Sequence, residues 1–201
     1  MPASPPARRA TEADLPALGR MLARAFHDDP VAVWACPHEG ERPRMLERFH
    51  GARLKQLLLR GEVWTTPECE SAALWASPDA WKTTLREDLQ ITRSMLRPRL
   101  LPRGPLVGRG LLGIERKHPH SPPHWYLAVL GTDPAAQGRG LGTAVLAPIL
   151  EQCDRDGVDA YLESSKERNL DYYARFGFRT TATLRLPRGP EVWSMWRDSP
   201  S

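Results

Sequence analysis

The most constraining stretch of this 201-residue sequence is Gln137-Gly-Arg-Gly140-Leu-Gly142. It lies between an uninterrupted apolar run of strand length, 125–130, and a helical pattern over 143–156 that its glycines open. Thr132-Asp-Pro134 supplies the intervening turn. A strand that feeds through glycines into a helix start leaves backbone N–H groups with no intrahelical partner, aimed together with the helix dipole at incoming negative charge. Glycine also removes the Cβ that would hold phosphate oxygens away from those amides. The motif lacks the Gly-Lys-Ser/Thr ending of a nucleoside-triphosphate loop, which favours a bound diphosphate without metal. A glycine-rich turn that binds nothing is the alternative.

A second glycine motif, Gly108-Arg-Gly110-Leu-Leu-Gly113, matches the dinucleotide fingerprint G-x-G-x-x-G, with Asp133 twenty residues beyond Gly113. Its surroundings do not fit. Only Leu106-Val107 precedes it, Pro105 breaks any strand upstream, and Pro119 would cut short the following helix. The motif is read as a decoy.

The rest of the chain divides at its 20 prolines and 15 glycines. An edge strand is expected at 8–10, then a helix over 12–27 opened by Thr11-Glu-Ala-Asp14 and ending before Asp29-Pro30. A second helix over 41–60, paired strands at 63–65 and 72–75, and a third helix over 81–96 follow. Residues 97–124 are rich in Arg, Pro and Gly, with one short helical piece at 111–117. Beyond the central strand and helix come a strand at 160–163, a short helix at 169–175, and two strands at 178–186 and 192–196. No solenoid repeat is present, and the sum is a mixed α/β sheet in one domain.

Composition excludes several function classes. With 41% hydrophobic and 26% charged residues the chain suits a single globular core, and no apolar run approaches the roughly 18 residues of a membrane span. Basic residues precede no apolar segment at the N-terminus, so a cytoplasmic protein is expected. The net charge is +4, with arginine as 24 of the 28 cations, but the charges are scattered rather than gathered in a stripe with stacking aromatics. No nucleic-acid or membrane partner is expected. Cys36, Cys69 and Cys153 have neither disulfide nor zinc spacing and read as reduced thiols. His118, His120 and His124 are interleaved with Pro119, Pro122 and Pro123 and read as a solvated loop, not a metal site.

The Q-x-x-G-x-G motif after a strand, followed by a strand, Asn169 and Tyr-x-x-x-Gly-Phe (Tyr173 to Phe178), resembles the GCN5-related N-acetyltransferases (GNAT). Phe26-His-Asp-Asp-Pro30, Val63-Trp-Thr-Thr-Pro-Glu68, Leu162-Glu-Ser-Ser165, Arg168-Asn-Leu170 and Pro190-Glu-Val-Trp193 are similar to the puromycin-acetylating branch of that family. The likeness is dense over 123–196, present in islands over 11–76 and poor over 77–120. It implies a single GNAT domain whose mostly antiparallel mixed sheet has helices on both faces and two splayed central parallel strands. Residues 11–122 would form mainly the acceptor side, and 123–198 the acetyl-CoA-binding core with the C-terminal strands.

The resemblance carries roles to particular residues. Leu130, Gly131 and Thr132 would pair with the pantetheine amides of acetyl-CoA, with Gly131 suited to a strand irregularity. Gln137, Gly138, Arg139, Gly140, Leu141, Gly142 and Thr143 would hold its pyrophosphate, and Asn169 would contact its arm. Only three residues separate Asn169 from Tyr173, a shorter spacing than in many relatives. Tyr173 is at the position of the acid that protonates the leaving thiolate; a core aromatic is the other reading. Glu163 is at that of a general base, with a substrate-cation anchor or a salt bridge as alternatives. A strand amide near Leu130 would meet the oxyanion. Neither Ser164 nor Ser165 lies in G-x-S-x-G, so direct transfer without an acyl-serine is expected. Trp34, Trp64, Trp75, Trp81 and Trp193 are candidate walls for a flat ligand, no more than two of them touching it, and Asp28 or Asp29 could attract an ammonium group. The implied activity is transfer of acetyl to a primary amine of a small molecule, puromycin or a similar aminonucleoside, hence antibiotic resistance, by a monomer or homodimer. Another acceptor such as an aminoglycoside, polyamine or protein N-terminus, and a non-catalytic acyl-CoA sensor, are the alternatives.

Overall fold

The computed structural model describes residues 6–78, 80–81 and 98–200. In chain order the described elements are β1 (Arg8–Arg9), α1 (Leu15–Ala25), α2 (Pro30–Ala35), α3 (Arg42–Arg60), β2 (Gly61–Thr65), β3 (Ser71–Ala76), α4 (Gly104–Lys117), β4 (His124–Thr132), α5 (Leu141–Asp156), β5 (Asp159–Ser164), α6 (Leu170–Ala174), β6 (Arg179–Arg185) and β7 (Glu191–Arg197). The seven described strands form one sheet in the order β1-β2-β3-β4-β5-β7-β6. Every neighbouring pair is antiparallel except β4 and β5.

Apolar alternation decides which helix covers which face. Ala73 and Trp75 of β3 pack with Trp125, Leu127, Leu162 and the α5 residues Val145, Leu146 and Ile149. Leu74 and Ala72 point the other way, onto Leu18 and Leu22 of α1 and Leu54 and Leu57 of α3. Both helices carry apolar residues at three- and four-residue spacing, so burying one stripe of each stabilises helix and sheet together. The Thr11 hydroxyl and main-chain N–H both bond Asp14 Oδ2 (2.9 and 2.8 Å), fixing the 3-10 turn that leads into α1.

The first helix ends at Ala25, before Asp29-Pro30 as expected, but that pair also starts a helix: Asp29 Oδ1 accepts from the Val31 and Ala32 amides at 2.9 and 3.2 Å, and Pro30 occupies the first turn of α2. The piece expected at 111–117 extends back to Gly104, so Gly108, Gly110 and Gly113 lie inside α4. A Cβ on Gly110 would meet Trp34 Cη2 at 2.5 Å, so this glycine lets the helix lie on an indole. The second glycine motif is therefore a packing motif. The helix expected over 81–96 lies outside the described residues.

β4 holds the feature that shapes the rest. Leu127 pairs with Trp75 and Val129 with Leu74, so Ala128 is an extra residue. Across this bulge Leu127 packs toward α5 while Val129, two residues on, packs toward α1 and α3. The parallel ladder with β5 ends at the same level: its last pair is Leu127–Leu162, although β4 continues to Thr132 and β5 to Ser164. The expected splay is present. The irregularity is at Ala128, not at Gly131, which stays in register with Ala72. Gly131 answers a different need, since a Cβ there would stand 2.6 Å from Leu22 Cδ2 and 3.3 Å from the Ala25 Cβ. Gly131→Ala should destabilise the protein by about 1–3 kcal/mol through overpacking against α1, read as a lower denaturant midpoint with unchanged m-value.

Candidate active site

Beyond Leu127 and Leu162 the two central strands enclose a cleft of about 580 Å³. One wall is β4, with Leu130, Gly131 and Thr132; the floor is the loop and helix start through Gln137, Gly138, Gly140, Leu141, Gly142 and Thr143; the other wall carries Glu163, Asn169, Tyr172 and Tyr173. Gly138 and Gly140 both have φ +77°, a left-handed backbone that L side chains rarely adopt, and a Cβ at either would meet nothing within 4 Å. The first bond into α5 runs from the Ala144 amide to Gly140 O at 3.1 Å, so the Leu141–Thr143 amides precede the ladder at the positive end of the helix dipole. An open glycine cradle beneath such amides suits an anion. Of the residues expected around a cofactor, all but Arg139 line this cleft. Arg139 Nη1 instead donates to Glu70 Oε1 at 2.8 Å, tying the loop to the β2–β3 turn.

A second cavity of about 370 Å³ opens on the other side of the splay. Phe26, Asp29, Ala128, Val129, Glu163 and Ser165 line both spaces, so the two meet at the splayed strand ends. The second cavity is mostly apolar and aromatic, with Phe26, Phe49, Trp81 and Tyr126 among its walls. Of the five candidate tryptophans Trp81 alone borders it; Trp34 and Trp75 are buried in the core, and Trp64 packs against the core from a partly buried position. Asp29 and Asp28 are already engaged. Asp29 caps α2 and accepts the Ser165 hydroxyl through Oδ2, while Asp28 Oδ1 receives Lys166 Nζ at 2.7 Å. The Ser164 hydroxyl donates to Lys166 O at 3.0 Å.

Tyr173 is only 7% exposed, packed in the core beside Phe178 and Tyr172, and its ring also borders the cleft. Burial, then the charges of Tyr172 and Asp29, push its phenol above the ordinary range, so it is protonated at any physiological pH. Core packing and cleft lining are both true of this residue.

His118 and His124 correct the solvated-loop expectation, being 4% and 1% exposed. His124 Nδ1 lies 2.8 Å from Pro122 O, which can only accept, so that nitrogen carries the hydrogen. Burial lowers the His124 pKa, leaving its Nε2 as a lone pair that accepts from His118 Nε2 at 3.2 Å. His118 Nδ1 then faces Glu163 Oε1 at 3.5 Å, a contact that is attractive when that nitrogen is protonated. The Trp81 ring stacks on His118 at 3.9 Å, with Tyr126 and Tyr161 edge-on at 4.7 Å each. Interleaved prolines hid this pair, and no regular spacing in the sequence connects it to Glu163. Among the described residues no group of three or more His, Cys, Asp or Glu side chains could hold a metal ion, and no helix is long and apolar enough to cross a membrane.

Comparison with known proteins agrees with this geometry. The model of the acetyltransferase (GNAT) family matches residues 62–178. An uncharacterized N-acetyltransferase of Schizosaccharomyces pombe is 28% identical over 194 residues, 90% of this chain and 77% of that protein. A Corynebacterium glutamicum structure described as histone acetyltransferase HPA2 and related acetyltransferase shares the fold with a TM-score of 0.71 at 23% identity, covering 99% of this chain and 98% of that one. Arylalkylamine N-acetyltransferase 2 of Aedes aegypti also shares it, with a TM-score of 0.58 at 11% identity over 96% and 98% of the two chains.

His50, on α3 in the second cavity, is 2% exposed, and burial followed by the charge of Arg53 pushes its pKa from the ordinary 6.5 down to about 3. Between those values the unfolded chain binds a proton that the folded protein refuses, so stability falls as pH drops through this window. The slope from this group reaches about 1.4 kcal/mol per pH unit. Denaturation of wild type and His50→Phe from pH 7 to pH 4 should show the variant losing less stability toward acid.

Proposed function

The chain belongs to the acetyltransferase (GNAT) family, and from that membership we propose that it transfers acetyl from acetyl-CoA to a primary amine of a small molecule. The observation that carries this reading is the meeting of a cleft floored by a glycine-rich helix start and a mostly apolar, aromatic cavity at Glu163. The Leu141–Thr143 amides and the Gly138–Gly140 cradle would hold the diphosphate, the main chain of Leu130, Gly131 and Thr132 the pantetheine arm, and Asn169 its flank. When bound, acetyl-CoA supplies an acetyl group activated as a thioester.

The protein's own groups serve the proton movements. Glu163 accepts the ammonium proton of the acceptor, with His118 Nδ1 standing 3.5 Å from its Oε1. Tyr173 holds a proton at its phenolic oxygen for the leaving thiolate. Burial raises this phenol above its ordinary range, so it keeps its proton until a stronger base forms beside it. A β4 amide near Leu130 would meet the oxyanion, a donor worth about 3 kcal/mol. Neither Ser164 nor Ser165 lies in a G-x-S-x-G elbow, which supports direct transfer without an acyl-serine.

The apolar and aromatic walls of the second cavity, Phe26, Phe49, Trp81 and Tyr126 among them, support a small acceptor with an aromatic body. An arylalkylamine, the class named for the mosquito relative, and puromycin or a similar aminonucleoside are the first candidates; turnover of the latter would make this an antibiotic-resistance enzyme. In this reading residues 11–122 supply mainly the acceptor side, and 123–198 the acetyl-CoA core. We infer a cytoplasmic monomer or homodimer, a location supported by three free thiols.

Release of free CoA thiol from acetyl-CoA, followed across a panel of aromatic amines including puromycin, tests the reading; no turnover of any amine would overturn it. Tyr173→Phe should lower kcat about a hundredfold or more while calorimetry shows CoA affinity little changed. Glu163→Gln should lose about tenfold or more in kcat/KM at pH 7 and recover part of it at pH 9, where more of the amine is already neutral.

A further inference from the structure

We infer that the acceptor carries an anionic group on its body, held by Arg53 on a part of the second cavity away from the cofactor cleft. This rests on the acetyltransferase reading and names a property of the substrate which that reading leaves open. Arg53, on α3, lines the second cavity together with Glu163. Among the described residues it is the one Lys or Arg on that wall. Glu163 also borders the cofactor cleft, and Arg53 does not. One space therefore presents a carboxylate where the thioester would arrive and a guanidinium elsewhere, among apolar neighbours such as Met45 and Phe49.

The guanidinium is set in place from its own helix. Gln56, itself 7% exposed, accepts from Arg53 Nη1 at 2.6 Å through Oε1. Among the described residues no carboxylate forms an ion pair with Arg53. The residue is half-buried and has no nitrogen that is both buried and unpartnered, so its remaining N–H groups keep accessible surface. Its charge is felt across the cavity. After burial it is the second cause that lowers the His50 pKa, and on β4 it opposes burial and Glu163, which raise the Tyr126 phenol. His50 and Tyr126 both line the same space. A guanidinium is permanently charged and offers donors only, so it repels an ammonium group and attracts an anion. A neutral carbonyl would meet the same N–H groups without the charge, and charge-assisted bonds are the stronger, more so among apolar walls. The two opposite charges thus orient a substrate, with its amine at Glu163 and its anion at Arg53.

The test is steady-state kinetics at saturating acetyl-CoA with 3- and 4-(2-aminoethyl)benzoate, each against its carboxamide, which keeps the amine and the ring and removes the charge. At least one acid should exceed its amide about tenfold or more in kcat/KM, mainly through KM. Arg53→Met, which keeps an apolar stem, should bring that ratio to one or below, and Arg53→Lys should keep part of the preference. A wild-type ratio near one or below for both acids, or a preference that survives in Arg53→Met, overturns the subsite and leaves the acetyltransferase reading standing. Failure of both variants to fold assigns the guanidinium to structure and also overturns it. No turnover of any amine by protein that binds CoA overturns both proposals.

Discussion

The architecture turns on one broken ladder. Parallel pairing of β4 and β5 stops at Leu127–Leu162, level with the extra residue Ala128. Backbone groups that a continuous sheet would consume are thereby left at the edge of a cleft, where main chain can serve a ligand. The same bulge reverses the parity of β4, carrying Val129 to the α1–α3 side and leaving Leu130 packed toward α5. Both cavities, and the place of Glu163 at their junction, follow from it.

Around that opening the protein retains groups that stability alone would remove. Gly138 and Gly140 hold a left-handed backbone with open space above them, and His50 keeps two unpaired nitrogens inside an apolar wall. Other polar groups nearby are matched: Asp29 satisfies two α2 amides and the Ser165 hydroxyl, and Tyr161 donates to Ser194 at 3.0 Å. These matched groups hold the walls of the two cavities still.

Much of the phosphate-facing half was legible in the sequence because its signals are local. An apolar run, a turn and glycines opening a helix are contiguous from 125 to 156, and each residue's role there depends on near neighbours. The acceptor half depends on distant contacts. Gly110 is explained by Trp34, 76 positions away along the chain, and nothing in its own helix reveals that. Asp29-Pro30 carries a helix-start signal as well as a helix-stop one, and a six-residue helix is too short to show a period. His118 and His124 read as loop because prolines surround them, yet their mutual contact and the nearby Glu163 come from three separate elements. The bulge at Ala128 leaves no mark in composition, and Gly131 suggested it one turn of the pleat too late.

The central claim is that the helix start beneath the splay grips a diphosphate and so presents a thioester between Tyr173 and Glu163. Calorimetric titration with CoA, with pantetheine, which lacks the diphosphate and the phosphorylated adenosine, and with 3′-AMP, which carries that nucleoside without the diphosphate, tests it most directly. The account predicts that CoA binds about a hundredfold or more tightly than pantetheine and that 3′-AMP binds too weakly to supply that difference, which leaves it to charge-assisted bonds between the diphosphate and the Leu141–Thr143 amides. Equal affinities, or no heat with CoA, would contradict it.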